Sequence, residues 1–212
     1  MTTVILLMAG LGSRMKTNVN KMLLSINDKP LYEYTIEAFS KFTDNILLVV
    51  SEHDYEYFVS LNLKYKIVKG GTTRAQSVRN ALLHVDTARV LIHDGARILV
   101  SDRIIRECLN TTAKAYFTAI PLKNTIRFNE TEEFHTLNRE NLLDVQTPQG
   151  GDTILFKEAY TKCALSGIEN TDDVYAIESH YLKVINGEDT NIKVTTPTDL
   201  VIAKALLEVI YV

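Results

Sequence analysis

The chain has 212 residues, 46% of them hydrophobic and 23% charged, and carries a formal net charge of −3 at pH 7. This length and apolar content suffice for a full core, so we expect a single domain over residues 1–212. A slightly acidic chain lacks the basic field that draws proteins to nucleic acid, which excludes nucleic acid as a partner and favours a small phosphate ligand.

The sequence has few features that would direct the protein to a membrane or for export, or that would form a disulfide or a metal site. The first apolar run, Val4–Met8, is too short for a membrane span and lacks the basic flank of a signal peptide. Cys108 and Cys163 lie in helix-like segments without metal-site spacing, which is typical of proteins from a reducing compartment. The histidines form no HxxxH or Cys/His cluster, which leaves a transition-metal site without its usual ligands. We therefore expect a cytoplasmic protein with no membrane partner.

Short apolar strands alternate with amphipathic helical segments along most of the chain. The predicted strands are Val4–Met8, Ile46–Val50, Lys66–Val68, Val90–His93 and Tyr116–Ile120, several with continuous hydrophobicity. The predicted helices begin at Pro30, run over Arg74–His84 and over Ser101–Leu109 with Ser101 as N-cap, and close the chain after Thr196-Pro197. This alternation predicts an α/β fold: a three-layer, mostly parallel, Rossmann-like sheet with helices on both faces.

The segment Ala9-Gly10-Leu11-Gly12-Ser13-Arg14 follows the first predicted strand. A strand that runs into a glycine turn exposes N–H groups to an anion, and Arg14 adds a permanent cation. Met15 stands where the dinucleotide fingerprint needs its third glycine, and the chain has no Gly-Lys dipeptide for a P-loop. The segment therefore predicts a polyphosphate cradle, and an ordinary strand-to-helix turn is the alternative.

A second glycine pair, Gly70-Gly71, lies between a strand and a helix that starts with small polar residues. Glycines let the backbone approach a flat ligand, and Ser77 and the backbone polar groups can bind the polar edge of a pyrimidine. A turn followed by a helix cap is the alternative.

Asp94 follows the predicted strand Val90–His93, at the carboxyl edge where open α/β sheets bind their ligands. It is a candidate Mg²⁺ ligand, because Mg²⁺ is usually held by one or two carboxylates together with ligand phosphates and water. Arg97 can neutralise Asp94 or contact a phosphate, and a structural Asp–Arg pair is the alternative. Lys193 lies on a predicted strand, Asn191–Thr195, just before the final helix.

Residues 121–146 interrupt the alternation of strands and helices because they are polar. They contain two strand-like stretches, Thr125–Phe128 and Phe134–Leu137, on either side of a predicted turn at Asn129-Glu130. The segment therefore predicts a protruding β-arm. A hairpin too polar to form a core needs outside support, so we expect a homodimer through this arm. A disordered surface loop is the alternative.

Taken in this order, the segments resemble the 2-C-methyl-D-erythritol 4-phosphate cytidylyltransferase family over essentially the whole chain. The matching pieces are Ala9–Met15, Lys21, Gly70-Gly71 through Arg74 to Ser77-Val78, His93-Asp94 with Arg97, Thr125-Ile126, Thr147–Gln149, Thr171-Asp172 and Asn191–Thr195. Their order makes the combined match specific for the family.

The resemblance implies transfer of CMP from CTP to 2-C-methyl-D-erythritol 4-phosphate, with Mg²⁺ and release of pyrophosphate, in non-mevalonate isoprenoid synthesis. It implies three catalytic cations, Arg14, Lys21 and Lys193. The implied CTP site consists of Ala9, Gly10, Gly12, Gly70, Gly71, Thr72, Ser77 and Asp94, with Asp94 beside the metal. The implied substrate site consists of Arg97, Thr147 and Thr171, with Thr125 and Arg139 supplied in trans by the arm of a second copy.

The chain departs from the family pattern at three places. Asn20-Lys21-Met22 stands where the family usually has Pro-Lys-Gln, Ile98 replaces a proline, and Gly150-Gly151 replaces Ala-Phe. Each change leaves the neighbouring charged residue in place. The departures bear on the rigidity of the Lys21 loop and on the packing behind Gln149 more than on the chemistry.

Three other functions are compatible with parts of the pattern: a ribitol 5-phosphate cytidylyltransferase for cell-wall polymers, a non-catalytic nucleotide-binding module, and a nicotinamide-dependent dehydrogenase. Ser77-Val78 and the basic residues Lys123 and Arg127 beside the Thr125 motif favour the erythritol substrate over ribitol. Retention of the cations argues against a binding module, which has no transition state to stabilise.

Overall fold

The computed structural model describes residues 1–10, 15, 20–130 and 133–210. The strands are β1 (Thr2–Leu7), β2 (Ser25–Ile26), β3 (Lys29–Pro30), β4 (Ile46–Val50), β5 (Lys66–Lys69), β6 (Arg89–Asp94), β7 (Ala115–Pro121), β8 (Arg127–Glu130), β9 (Glu133–Thr136), β10 (Leu143–Asp152) and β11 (Leu182–Asn186). The helices are α1 (Leu31–Ser40), α2 (Tyr55–Ser60), α3 (Arg74–Leu82), α4 (Asp102–Asn110), α5 (Thr153–Leu165) and α6 (Pro197–Ile210). The five strands and four helices predicted from the alternation of apolar and amphipathic segments are therefore confirmed, with small shifts at their ends.

Seven strands form one sheet in the order β11-β7-β10-β6-β1-β4-β5. Among the described strands of this sheet, β10 alone runs against its neighbours, β6 and β7, and the other pairs are parallel. All five residues of β4 are buried, as expected for a strand covered on both faces. The prediction of a mostly parallel Rossmann-like sheet is confirmed.

The two faces of the sheet carry separate apolar cores. Along β1, Val4 and Leu6 join one core and Ile5 joins the other, because successive side chains of a strand point to opposite faces. Buried residues of α1, α4 and α6 belong to the first core, and those of α3 and α5 belong to the second. The chain thus folds into the three predicted layers.

Local hydrogen bonds explain where two of the helices begin. Ser101 Oγ accepts from the Ile104 N–H at 3.3 Å, which confirms the predicted N-cap of α4. Thr73 Oγ1 accepts from the Gln76 N–H at 3.2 Å and caps α3. Within the described ranges, no helix is both long enough and apolar enough to cross a membrane.

Strand β10 lies in the middle of the sheet although its sequence, LDVQTPQGGD, does not have a strand-like pattern. Its register against β7 shifts between Gln146 and Gln149. Pro148 falls within this irregularity, where a residue without an N–H is tolerated. The glycines and the proline explain why periodicity did not predict this strand.

Gly150 lies against the ring of Tyr116 on the neighbouring strand. A Cβ built on Gly150 would lie 2.6 Å from the Tyr116 hydroxyl oxygen and would overlap the carbonyl oxygen of Val90. Tyr116 is only 1% exposed, so its ring has little freedom to move aside. The tyrosine and the two flanking strands therefore account for glycine where the family pattern has alanine.

Replacing Gly150 with alanine should lower the free energy of unfolding by about 1–3 kcal/mol, the usual cost of overpacking a core. Urea denaturation of the single variant measures this loss. In a Tyr116→Phe background the hydroxyl is gone but the overlap with Val90 remains, so the alanine should cost less without becoming neutral. Wild-type stability of Gly150→Ala would contradict the packing argument.

The polar segment after β7 forms a hairpin separate from the main sheet. Strands β8 and β9 are antiparallel, with Arg127 opposite Thr136 and Asn129 opposite Phe134. Because Asn129 pairs within the ladder, the prediction of a turn at Asn129-Glu130 is wrong. The predicted hairpin itself is confirmed.

Candidate active site

A cleft of about 720 Å³ lies over the carboxyl ends of the parallel strands β1, β4, β5 and β6. Its lining includes these predicted site residues: Ala9, Gly10, Lys21, Gly70, Gly71, Thr72, Ser77, Asp94 and Lys193. A pocket of about 330 Å³ shares Arg74, Asp94 and Lys193 with the cleft, and Arg97 and Thr171 also line it. The fold thus brings most of the predicted site together. Gly12 and Arg14 lie outside the described residues.

The two glycine loops touch each other at one end of the cleft. A Cβ on Gly70 would lie only 2.7 Å from Ala9 Cβ, so the loops need glycine at this position. The Gly71 N–H donates to Ser77 Oγ at 3.0 Å, and the Ser77 hydroxyl donates to the Thr73 carbonyl at 2.9 Å. Ser77 therefore shapes the loop and keeps one lone pair for a further bond.

Lys21 and Lys193 come together from opposite ends of the chain. Lys21 lies at the start of a short 3-10 turn, Lys21–Leu23, and is only 9% exposed. Its Nζ donates at 2.9 Å to the carbonyl oxygen of Val194, 173 residues away and next to Lys193. Tertiary folding therefore concentrates two predicted cations on one side of the cleft.

Asp94 lies between two positive side chains. Its Oδ1 accepts from Arg74 Nε at 3.0 Å, and its Oδ2 lies 2.7 Å from Lys193 Nζ. Burial opposes ionisation of Asp94, but the charges of Arg74 and Lys193 outweigh it and hold the pKa of this carboxyl well below its usual range. Asp94 is therefore a permanent anion that orients both cations.

Lys193 reaches Asp94 from an irregular loop, so the prediction of a strand over residues 191–195 is wrong. The Val194 N–H donates to the Ala96 carbonyl at 2.8 Å, and Asn191 Nδ2 donates to the Thr147 carbonyl at 2.9 Å. These long-range bonds hold the loop across the sheet edge, which a local pattern cannot reveal.

Arg74 is a site residue that the sequence interpretation did not assign a role. Its two terminal nitrogens each donate at 2.7 Å to Asp173, which is completely buried and also accepts from the Tyr160 hydroxyl at 2.5 Å. Burial lowers the pKa of Arg74, but the attraction of Asp173 and Asp94 outweighs burial and holds it above its usual value. The sequence offered one signal for this role, because Arg74 is a charged residue in the first turn of a helix that follows a glycine loop.

His93 lies directly behind the site and fixes the direction of a hydrogen-bond chain. Its Nε2 lies 3.1 Å from the Arg97 carbonyl, which can only accept, so Nε2 carries the proton. Its Nδ1 then accepts from the Thr147 hydroxyl at 3.0 Å, and Thr147 Oγ1 accepts from the Asp94 N–H at 3.0 Å. Burial lowers the pKa of His93 to about 3, which keeps the ring neutral. Thr147, only 3% exposed, thus supports Asp94 from behind.

Arg97 binds backbone carbonyls. Its Nη1 donates to the Asn191 carbonyl at 2.6 Å and its Nη2 lies 3.4 Å from the Val145 carbonyl. Asp94 forms its ion pairs with Arg74 and Lys193. The alternative of a structural Asp94–Arg97 pair is therefore wrong. Arg97 and Thr171 both line the smaller pocket, beside Asp94.

Thr125 and Arg139 are on the arm and do not line the cleft of their own chain in the described residues. Both are exposed, and Arg139 Nη1 donates to the Lys123 carbonyl at 3.1 Å. Within one copy of the chain they therefore stay apart from the other predicted site residues.

A cleft lined by cationic side chains over the carboxyl edge of a mostly parallel sheet is the arrangement of nucleotide-binding α/β proteins. Residues 2–209 match the family model described as IspD: 2-C-methyl-D-erythritol 4-phosphate cytidylyltransferase. The chain belongs to this family of nucleotidyltransferases.

Relatives and solved structures agree with this assignment. A 2-C-methyl-D-erythritol 4-phosphate cytidylyltransferase from Bacillus thuringiensis is 37% identical over 223 residues, covering 99% of both chains. One from Clostridium novyi is 39% identical over 221 residues, covering 96% of this chain and 95% of the relative. The crystal structure of 4-diphosphocytidyl-2C-methyl-D-erythritol synthase from Anaerococcus prevotii has a TM-score of 0.86 at 30% identity, with 98% and 96% coverage.

Proposed function

We propose that this protein transfers CMP from CTP to 2-C-methyl-D-erythritol 4-phosphate, giving 4-diphosphocytidyl-2-C-methyl-D-erythritol and pyrophosphate, a step of isoprenoid precursor synthesis. The observation that carries the proposal is that Lys21, Lys193 and Arg74 line one cleft, where Lys193 and Arg74 pair with the buried carboxylate of Asp94. Such a cluster suits a reaction in which two polyanions must meet. Membership of the family supports the choice of substrates.

In the proposed reaction, a phosphate oxygen of the alcohol phosphate attacks the α-phosphorus of CTP, and the bond from that phosphorus to the pyrophosphate oxygen breaks. The nucleophile is already ionised at neutral pH, so no protein nucleophile is required. The barrier lies in bringing the anions together and in stabilising charge on the phosphorus. Lys21 and Lys193, together with Arg14 by family resemblance, stabilise that charge.

Asp94 prepares the cations before substrate binds. Its charge holds Lys193 at 2.7 Å and Arg74 at 3.0 Å, so neither side chain has to be ordered when the triphosphate arrives. Donors fixed in advance stabilise developing charge better than mobile ones, because they do not reorganise during the reaction. The Asp94 N–H donates to Thr147 Oγ1, and the Thr147 hydroxyl donates to His93 Nδ1; these buried bonds keep the strand end that carries Asp94 in place.

The residues at this edge also suit a Mg²⁺ ion. Asp94 presents ionised carboxylate oxygens, each of which has one cationic partner and retains lone pairs for a metal. We assign Asp94 as the protein ligand, with the remaining ligands supplied by phosphate oxygens and water. When bound, Mg²⁺ would neutralise part of the triphosphate charge.

We divide the remaining predicted residues between the cleft and the smaller pocket that shares Asp94 and Lys193 with it. We assign the triphosphate to Ala9 and Gly10, and the cytosine to the loop of Gly70, Gly71, Thr72 and Ser77. Gly12 and Arg14 are assigned to the triphosphate by family resemblance alone. We assign the alcohol phosphate to Arg97 and Thr171 in the smaller pocket. Thr147 contributes by holding Asp94, since its hydroxyl is engaged with His93 and the Asp94 N–H.

A pyrophosphate-release assay with CTP, Mg²⁺ and either alcohol phosphate tests the proposal. We expect a higher kcat/KM with 2-C-methyl-D-erythritol 4-phosphate than with ribitol 5-phosphate. Equal or better use of ribitol 5-phosphate would overturn the substrate assignment. Binding of CTP without product from either alcohol would favour a non-catalytic nucleotide-binding module.

We also propose that the arm makes the protein a homodimer and completes the site of the partner. Four large apolar side chains of the arm region are substantially exposed: Phe128 at 47%, Phe134 at 63%, Leu137 at 37% and Leu143 at 44%. A two-stranded hairpin with such a surface needs a second surface to cover it. Thr125 and Arg139 would then reach the substrate phosphate of the other copy.

A mixing experiment separates cis from trans action of Arg139. Arg139→Ala and Lys193→Ala should each be nearly inactive, because each lacks one cation of every site. Mixed dimers should regain one intact site, which amounts to about a quarter of wild-type activity at equal mixing with random exchange. Pyrophosphate release after co-refolding measures the recovery. No recovery, with dimers present by sedimentation, would contradict the trans assignment.

Two cysteines bear on location. Cys108 and Cys163 are both buried free thiols. Buried reduced thiols are typical of proteins from a reducing compartment, so we assign this protein to the cytoplasm.

A further inference from the structure

A buried polar cluster lies directly behind the Lys21 turn. It consists of Asn20, which is 7% exposed, together with Asp54 at 6% and Ser51 at 8%. Asp54 immediately precedes α2, far from Asn20 in sequence, and the cluster adjoins the wall of the cleft, which Ser51 lines. Buried polar groups are costly unless they are hydrogen-bonded, so their partners are informative.

Asn20 makes three hydrogen bonds with its side chain. Its Oδ1 accepts from the Met22 N–H at 2.9 Å and caps the 3-10 turn. Its Nδ2 donates to Asp54 Oδ2 at 2.6 Å and to the Met8 carbonyl at 3.2 Å. One amide therefore ties the Lys21 turn to the end of β1, where the Ala9-Gly10 loop begins, and to the segment after β4.

Asp54 is itself held rigidly. Its Oδ2 accepts from the Ser51 hydroxyl at 2.5 Å, its N–H donates to Ser51 Oγ at 3.1 Å, and its Oδ1 lies 3.1 Å from His53 Nδ1. Burial raises the pKa of Asp54, but the hydrogen bonds from Ser51 and Asn20 outweigh it and lower the pKa overall. An ionised acceptor makes the bond from Asn20 stronger than one between neutral groups.

This anchoring determines where the Lys21 ammonium can reach. Lysine is a flexible side chain, so the position of its backbone limits the position of Nζ. Lys21 follows Asn20 directly, and its Nζ donates to the Val194 carbonyl oxygen at 2.9 Å. A shift of the turn by about 1 Å is enough to cost a large factor in rate when a charged group must meet a transition state.

We propose that Asn20 and Asp54 are positioning residues that hold the Lys21 turn in its catalytic place, an inference that rests on the proposed function. The backbone φ of Asn20 is −54°, within the range that a proline ring imposes. In this chain the bonds to Asp54, Met8 and Met22 thus hold a backbone conformation that proline supports in the family pattern.

A double-mutant cycle tests whether Asn20 acts through Lys21. Asn20→Ala should lower kcat by about 10- to 100-fold, with a smaller change in the KM for CTP, because the cation is misplaced rather than removed. Adding Asn20→Ala to Lys21→Ala should cause little further loss, since there is no ammonium left to position. If the two losses multiply instead, or if folded Asn20→Ala keeps the wild-type kcat, the proposal is overturned.

Asn45→Ala is the matched control. Asn45 Nδ2 donates to Thr3 Oγ1 at 2.8 Å and to the Thr2 carbonyl at 3.3 Å, at the opposite, amino edge of the sheet. It should lose stability but keep the wild-type kcat, whereas a loss of kcat like that of Asn20→Ala would overturn a local positioning role.

Asp54→Asn keeps the side-chain volume and is decisive if Asn20→Ala does not fold. It should lower kcat in the wild-type background and cause little further loss in the Lys21→Ala background. An unchanged kcat overturns the proposal, as do losses that multiply. The wild-type protein in the same assay separates the two proposals: an inactive wild type contradicts the proposed function, and an active wild type leaves only the role of Asn20 and Asp54 in question.

Discussion

Replacing Lys193 with alanine is expected to lower kcat by about 100- to 1000-fold, the usual cost of removing one preorganised donor from a charged transition state. Lys193 lines both the cleft and the smaller pocket, and its Nζ lies 2.7 Å from Asp94 Oδ2. Its side chain is 35% exposed, so the cation can reach a ligand while remaining oriented. Steady-state pyrophosphate release with saturating CTP measures the effect.

The loss should be catalytic and not structural. Asp94 remains paired with Arg74 at 3.0 Å after the substitution, so no buried charge is left without a partner. Lys204→Ala, at an exposed position on α6, is the matched control and should keep the wild-type kcat. A folded Lys193→Ala protein with near-normal turnover would refute the assignment of Lys193 to the transition state.

The second large effect is on stability. Asp173→Ala should lower the free energy of unfolding by about 3–5 kcal/mol, because both terminal nitrogens of Arg74 and the Tyr160 hydroxyl lose their buried acceptor, and Arg74 keeps only its bond to Asp94. Asp173 is 0% exposed and accepts two bonds from Arg74 and one from the Tyr160 hydroxyl. Urea denaturation monitored by circular dichroism measures the loss.

A more exposed ion pair in the same protein serves as its control. Asp152 pairs with Arg89 at 2.8 Å, but its side chain is 45% exposed. Asp152→Ala should therefore cost about 0–1 kcal/mol, as for other surface pairs. Similar losses of unfolding free energy for Asp152→Ala and Asp173→Ala would show that burial does not make the Arg74–Asp173 pair more important for stability than a more exposed pair.

Local sequence patterns were sufficient for elements whose signal lies within a few residues. The apolar run Ile46–Val50 became a fully buried strand with the predicted bounds, and Ser101 caps α4 as predicted. Most of the predicted cleft residues, Lys21 and Asp94 among them, meet at one edge of the sheet. They meet because parallel strands end on the same side, so topology alone brings the motifs that follow them together.

Other features depend on partners far away in the chain. Strand β10 contains Pro148 and a glycine pair, a local pattern that is typical of a loop. It is a strand because it pairs with β6 on one side and β7 on the other. Arg74 depends on Asp173, 99 residues away, and no local spacing connects the two. The Asn191–Thr195 segment was predicted as a strand because its composition suits one, but long-range bonds hold it as a loop.

The amino-acid sequence alone predicts the class of fold, the glycine loops, the charged residues that follow them and the family. These follow from hydrophobic periodicity, turn chemistry and the order of short motifs, all of which are local. The folded arrangement was needed to establish which charges pair with each other, which hydroxyls form buried hydrogen bonds, and how the Lys21 turn is held. Those outcomes depend on burial and on distances between atoms from remote segments, because the strength of an ion pair or hydrogen bond is set by its surroundings.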